Sequence, residues 1–439
     1  MKRMTQFSPL ALSALLILTL GLQSCIQDRC DQTITYLQYT PIYMPEAEFL
    51  DAVEVQAPRA LVEPGKIYAK GDILFVNEIG QGVHIFDNAD PSQPVPMAFL
   101  RVPGNYDLST ACDKLYLDSS TDLLVFDIGQ ADRPRFLHRV KNALPHIVEY
   151  RGFTADPSQG VVVAWEEQVI TQDYSCEGNI PSHVLANQVD PGNVDPALLN
   201  NTRTVNPATP GKAGSMSRFV VQDDYLYTVA PRDLQVFDLG GCDYPTRVAT
   251  ASIDLPWGGE AEMVTTLEDN LLIGGTNGMA IYSIATPTNP EYLSTFQHAQ
   301  ACDPVAAQNG IAYVTLRSEN SENQPCGNNF TNQLDVVNIR NPYAPHLIGS
   351  FRMNNPHGVG IDGNLLFVAD GEAGLKVFDA SMPSEVGNHQ LAHFEEMFGF
   401  DVIPYQQLLI MTGKDGISMY DYSDPRNLRR LSVIPVSSE

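Results

Sequence analysis

The chain has 439 residues, 44% of them hydrophobic and only 18% charged, with a formal net charge of −26. That length holds one large repeat domain or two to three ordinary ones, and the hydrophobic fraction can fill a sizeable core. The acidic balance argues against a nucleic-acid binder, whose phosphates need Lys and Arg, and disfavours adsorption to anionic lipid heads.

The chain opens MKRMTQFSPLALSALLILTLGLQSC. Lys2 and Arg3 give a basic start, and Leu10 to Leu22 give an apolar run too short to span a bilayer comfortably. Ser24 then precedes Cys25 in LQSC. This order resembles a bacterial lipobox, which implies a signal peptide over residues 1–24 and acylation of the Cys25 thiol. The alternative is a plain signal peptide followed by an ordinary cysteine. No other run approaches a membrane-spanning length, so the lipid is the only expected membrane contact. Residues 25–60 are expected to form a tether.

From residue 61 to 439 the chain repeats itself. The anchors are VHIFD (83–87), LLVFD (123–127), LQVFD (234–238), MAIYS (279–283), LDVVN (334–338), LKVFD (375–379) and ISMYD (417–421). Their last residues are spaced by 40, 111, 45, 55, 41 and 42. A period near 42 is the size of a propeller blade, and the long gap has room for a degenerate unit. Each anchor follows an apolar run such as ILFV (73–76) or LLFVA (365–369), and before that comes a further strand pattern such as GKIYAK (65–70) or HGVGID (357–362). HIVEYR (146–151) and GVVVAW (160–165) fill those two places inside the long gap. The expected fold is therefore all-β: a single β-propeller of four-stranded blades, eight in number with seven as the alternative, behind an N-terminal lipoprotein tether. One sheet cannot bury both its faces, and stacking sheets round an axis does so, which explains second strands that are apolar at consecutive positions. The Asp of the F-D-x-x-x-P pattern is expected to cap backbone N–H groups in a turn, with the Pro setting that turn.

The units LKVFDAS and LLVFDIG, with stretches such as APRALVEPGKIYAKGDILFVNE, VPGNYDLS, DPSQGVVVAWEE, ACDPVAAQNGIAYVTLRS and DGNLLFVADGEAGLKVFD, resemble the LVIVD-repeat lipoproteins of Bacteroidetes-type bacteria. The resemblance implies a propeller at the cell envelope and brings no catalytic residues with it.

Beyond Cys25, six cysteines remain: Cys30, Cys112, Cys176, Cys242, Cys302 and Cys326. Export permits disulfides, and no spacing suits zinc or another metal. Cys302 precedes an innermost strand, and Cys326 lies in an insertion after the second strand of the same blade. Both fall on one face, and a Cys302–Cys326 bridge is expected. With eight blades, Cys112 and Cys242 fall in turns on the opposite face, in blades two and four, which are not neighbours, so they fit a bridge less well and their pairing stays open. A Cys30–Cys176 bond stays open.

Two insertions, 171–214 and 317–333, are placed after second strands, on the face that carries the channel mouth. His146, Glu262, Asp303 and His357 stand near the starts of innermost strands round that mouth and are the candidate ligand-binding residues. The alternative is a polar channel lining. Glu166 and Glu167 alternate to opposite faces of a strand, so they cannot act as a paired acid and base. No nucleotide motif, nucleophile elbow or metal signature occurs, so no catalytic residue, cofactor or metal is assigned. The function expected is a binding or scaffold module, lipid-anchored at the cell envelope, in the outer membrane, with a protein or glycan partner and no nucleic acid. The alternative is a propeller enzyme or ligand-binding protein acting on carbohydrate or peptide at the channel mouth.

Overall fold

The computed structural model describes residues 31–144, 149–150, 152–175, 180–189, 202–205, 217–253, 255, 259–275, 277–298, 304–317 and 331–437. Its strands form seven antiparallel sheets of a propeller, one further three-stranded sheet mounted on it and a short two-stranded hairpin. Blade 1 is built from Pro64–Lys70, Ile73–Glu78, Gly82–Asp87 and Val95–Arg101, with Glu54–Gln56 added at its outer edge. Blade 2 runs from Leu108–Ala111 to Arg135–Val140 and blade 3 from Phe219–Gln222 to Thr246–Ser252. Blades 4, 5, 6 and 7 open with Ala261–Leu267, Val305–Gln308, Val359–Asp362 and Asp401–Tyr405, and blade 7 closes with Arg429–Pro435. In each blade the first strand is innermost.

The apolar second strands serve two interfaces at once. Leu271 and Ile273 face the core shared with blade 3, whereas Leu272 between them faces the core shared with blade 5. All three are fully buried. Alternation along the strand thus distributes side chains between two cores, so every position is apolar.

The turns repeat as faithfully. The hairpin between first and second strands begins with a residue at positive φ in all seven blades: Gly71, Cys112, Asp223, Glu268, Asn309, Gly363 and Gln406. Such turns match the right-handed twist of the strands they join. The carbonyl of the next residue accepts the N–H of the residue just past each anchor, as in Asn88 N to Asp72 O at 2.7 Å and Leu239 N to Asp224 O at 2.7 Å. The last anchor side chain accepts a backbone N–H two residues on, at 2.7–3.3 Å, in every blade, from Asp87 with Ala89 to Asp421 with Ser423. The expected turn-capping role of that Asp is what the structure contains.

The blade count is seven, the alternative rather than the leading expectation. GVVVAW does not open a blade's second strand. It begins a strand of 15 residues, Val161–Ser175, that pairs with Asp31–Met44 from the N-terminal region, while Thr202–Val205 pairs on its other side. Of the residues expected as an eighth innermost strand, Glu149–Tyr150 instead pair in a short hairpin with Phe153–Thr154, and 146–148 and 151 lie outside the described residues. The mounted sheet has its own cores, one of Ile34, Tyr36 and Val184, the other of Tyr39, Ala155 and Trp165. The segment expected as a tether over 25–60 is therefore, from Asp31 onward, a long strand, a short helix Glu46–Asp51 and the extra strand of blade 1. The first insertion also attaches differently: it joins the last strand of blade 2 to the first of blade 3, rather than following a second strand.

The ring closes without an exchanged strand. Leu61 makes a parallel bridge with Val436, and Ser437 N donates to Leu61 O at 2.7 Å. Leu61, Ile67 and Leu74 pack there against Ile410, Ile417 and Ile434.

Candidate functional site

The innermost strands pair with the second strands in equivalent register, so the residue just before the first paired apolar position is the same place in each blade. At that place stand Lys66, Asp107, Arg218, Pro304, Gly358 and Asp401, while in blade 4 a register shift between Ala261 and Met263 puts Met263 there and Glu262 one residue before it. Lys66, Asp107, Arg218 and Asp401 are charged, as is Glu262 beside Met263, and these five are 6%, 0%, 8%, 1% and 6% exposed respectively. From sequence alone Glu262 is placed near the mouth, and Lys66, Arg218 and Asp401 are not among the candidates. The signal is a charge preceding the inner apolar run in blades 1, 2, 3 and 7, and only the register turns those charges into a ring.

The ring is sealed by its own chemistry. Asp107 Oδ2 accepts Arg218 N at 2.6 Å, Asp107 Oδ1 accepts Ser217 Oγ at 3.0 Å, and the Arg218 guanidinium reaches Asp118 at 3.1 Å. Asp118 Oδ1 also accepts the N–H groups of Tyr106 and Asp107 at 2.7 and 2.9 Å. Burial raises the Asp118 carboxyl to about 6, against the opposing pull of Arg218. Burial lowers the Lys66 ammonium to about 8, while the carboxylates of Asp107, Asp401 and Glu262 hold it up. At Gly358 a Cβ would strike Asp401, so the neutral gap in the ring gives that carboxylate its space. Mutually compensating buried charges of this kind hold strands in register and leave little for an incoming ligand.

Of the four candidate binding residues, the structure describes two. Glu262 belongs to the ring. His357 lies one position before it in blade 6, its ring edge-on to Phe400 at 5.5 Å, and it is 9% exposed. Burial, then the Arg317 guanidinium, push its imidazole down to about 3. His146 and Asp303 lie outside the described residues, as do Cys25, Cys302 and Cys326.

A disulfide does join Cys112 to Cys242, with Cα atoms 6.5 Å apart. These residues had been set in blades two and four. They sit in blades 2 and 3, which are neighbours because the intervening segment is a mounted sheet and not a blade. The Tyr116 hydroxyl donates to Cys242 O at 2.8 Å across the same seam.

On the opposite face the mounted sheet leans over blades 2 and 3. The Tyr106 hydroxyl donates to Val163 O at 2.8 Å, and the Arg139 guanidinium, bound to Asp122 at 2.8 Å, covers the Phe49 ring at 4.9 Å. A cleft of ≈ 300 Å³ remains between them. Its walls include Phe49, Leu144, Val163, Trp165, Phe219 and Gln235. Among the described residues no group of His, Cys, Asp or Glu is arranged to hold a metal ion.

A seven-bladed β-propeller with a sheet mounted over one face is thus the class that this geometry defines. Residues 356–388 match the family model of the LVIVD repeat. No curated protein matches the chain. Among solved structures, Sqt1 of Saccharomyces cerevisiae aligns at 9% identity over 86% of each chain, with a TM-score of 0.49. BamB from Moraxella catarrhalis aligns at 8% identity over 88% of this chain and 98% of that one, with a TM-score of 0.47. The computationally designed Ika8 protein aligns at 10% identity over 85% and 90%, with a TM-score of 0.48.

Proposed function

We propose that this chain is a lipid-anchored protein of the cell envelope, in the outer membrane, whose propeller serves as a binding or scaffold module for a protein or glycan partner. The observation that carries the binding reading is the contrast between a sealed axis and an elaborated face. The charges on the inner strands are buried, whereas the chain spends its longest strands, Asp31–Met44 and Val161–Ser175, on a second body set over blades 2 and 3. The export part rests on the N-terminal order of basic, apolar and LQSC segments, and the Cys112–Cys242 bridge supports it, since such bonds persist in oxidising compartments. Five residues lie between Cys25 and Asp31. At most about 3.5 Å per residue, an acyl group there would hold the mounted sheet close to the membrane.

The alternative, a ligand or substrate held at the channel mouth by His146, Glu262, Asp303 and His357, requires Glu262 to leave a buried charge ring. Two experiments test the proposal. Cell fractionation of the parent and of Cys25→Ala should show the parent with membranes and the variant in the soluble fraction; equal membrane retention refutes the anchor. Photo-crosslinkers at Ile42 and Leu185, exposed in the mounted sheet and in the short helix packed on it, used in intact cells, should capture one recurring partner. Capture spread over abundant envelope proteins refutes the scaffold.

A further inference from the structure

We propose that a cavity between blades 4 and 5, on the face opposite the mounted sheet, binds a small zwitterion with an apolar body, of the α-amino-acid class. This goes beyond the scaffold reading, needing neither the lipid anchor nor a protein partner.

The cavity lies at a seam that is left untied. In four blades the last residue of the innermost strand reaches the next blade. Lys70 Nζ donates to Cys112 O, and Gln308 Nε2 donates to Gly363 O at 2.9 Å. Asp362 Oδ2 accepts the Tyr422 hydroxyl at 2.6 Å, and the Tyr405 hydroxyl accepts Gly71 N at 2.8 Å. In blade 4 that residue is Leu267, which packs instead against the core shared with blade 5. Beside it stands a cavity of ≈ 500 Å³, within the range of small-molecule sites, about 300–1,000 Å³. Its floor is Leu272, Ile281 and Ile339, none more than 4% exposed. Ser294 Oγ, in the outermost strand of blade 4, donates to Pro342 O of the lining at 2.5 Å and fixes the wall there.

Arg340, in the lining, departs from the repeat. Two residues past the anchor the other six blades carry Ala89, Gly129, Gly240, Ala285, Ser381 and Ser423. The long side chain has room because the second hairpin residue of blade 5 is Gly310, at φ +74°, where a Cβ would strike Arg340 Cγ. The other six blades place Asp, Asn or Gln at that hairpin position. The Arg340 stem therefore crosses the turn at the cavity rim. Glu268, in the hairpin of blade 4, brings the opposite charge to the same lining. Both residues are exposed, and neither side chain has an ion-pair or hydrogen-bond partner among the described residues, each other included. A guanidinium recognises a carboxylate through paired hydrogen bonds, a carboxylate recognises an ammonium, and an aliphatic floor favours an apolar body. One amino acid with an apolar side chain supplies all three. A simple carboxylate is repelled by Glu268, and a simple ammonium by Arg340.

The probe is L-leucine, with isocaproate and isoamylamine as analogues lacking its ammonium or its carboxylate. The purified chain, ¹³C-labelled at its isoleucine methyl groups, reports through Ile281 and Ile339, which Ile281→Val and Ile339→Val assign. Leucine is expected to move both signals saturably at millimolar concentration, and each analogue is expected to need roughly tenfold more. Arg340→Ser and Glu268→Gln copy the residues that blades 6 and 7 carry at the same places, Ser381 and Gln406, so both variants keep the fold. Each should weaken leucine binding roughly tenfold. Glu268→Gln should at the same time tighten isocaproate binding, because the repelling charge is gone. Unmoved methyl signals, an analogue equal to leucine, parent-like leucine affinity in either variant, or unimproved isocaproate binding in Glu268→Gln overturns the proposal. Loss of this site leaves the anchor and partner tests above unaffected.

Discussion

Single side chains in this protein work by closing the accounts of buried backbone groups. Asp370, fully buried at the end of a second strand, accepts Asn354 N and Asn355 N at 3.0 and 2.7 Å and the Lys376 ammonium at 2.5 Å. Asp370→Ala leaves two N–H groups and a nearly buried ammonium unpaired, and should cost about 3–5 kcal/mol in urea unfolding. Asp370→Ala with Lys376→Met should recover part of that loss; no recovery would show that the ammonium is not what suffers. His357 gives the pH dependence. Its folded-state imidazole titrates near 3 and its unfolded one near the ordinary 6.5. Below 6.5 the unfolded chain takes up a proton that the native chain refuses. Stability from this site is therefore complete above pH 6.5 and falls by about 1.4 kcal/mol per pH unit down towards 3. Between pH 7 and pH 5 the parent should lose about 2 kcal/mol more than His357→Gln, as read by denaturant unfolding. Equal losses would mean that the imidazole is charged in the native state.

At the scale of the element, the blade is a local device repeated, and most of it is legible in the sequence because each part involves residues close in the chain. The anchor Asp caps a turn two residues away, and two-residue hairpins such as Lys70-Gly71-Asp72-Ile73 tolerate positive φ at the first turn residue. At the anchor aromatic the pairing with the outermost strand shifts by one residue in blade after blade, as at Ile85/Phe86 and Met419/Tyr420. The Cys112–Cys242 bridge was not legible, because pairing needs the identity of neighbouring blades. Its closed loop spans 130 residues. On the entropic account, that bond stabilises the fold by at most about 5 kcal/mol. Reduction, or Cys112→Ser with Cys242→Ser, should lower the denaturation midpoint without changing the far-UV spectrum, and an unchanged midpoint would assign the bond no stabilising role. Non-reducing peptide mapping of the same protein tests the expected Cys302–Cys326 bridge: recovery of both as separately alkylated thiols would end that idea.

The whole molecule is a ring whose seam is held by packing. Leu61 is 2% exposed between the first and last blades. Leu61→Ala should cost about 3 kcal/mol if the ring unfolds as one unit. Accelerated hydrogen exchange confined to blades 1 and 7, with an unchanged Tm, would instead show a seam that opens alone. What the sequence by itself determined is everything carried by short-range chemistry: strand period, turn type, the capping Asp, the all-β propeller. What only the tertiary structure decided is which distant segments pair. GVVVAW is as apolar as any second strand, yet no F-D-x-x-x-P anchor follows it within 166–216, and its partner is Asp31–Met44, more than a hundred residues earlier. An apolar strand states that it needs a partner, not which one. That single long-range pairing reduced eight blades to seven, brought Cys112 beside Cys242 and built the cleft over blades 2 and 3. The buried charge ring has the same origin: Lys66, Asp107, Arg218, Glu262 and Asp401 are scattered along the chain, and only closure of the ring sets them round one axis.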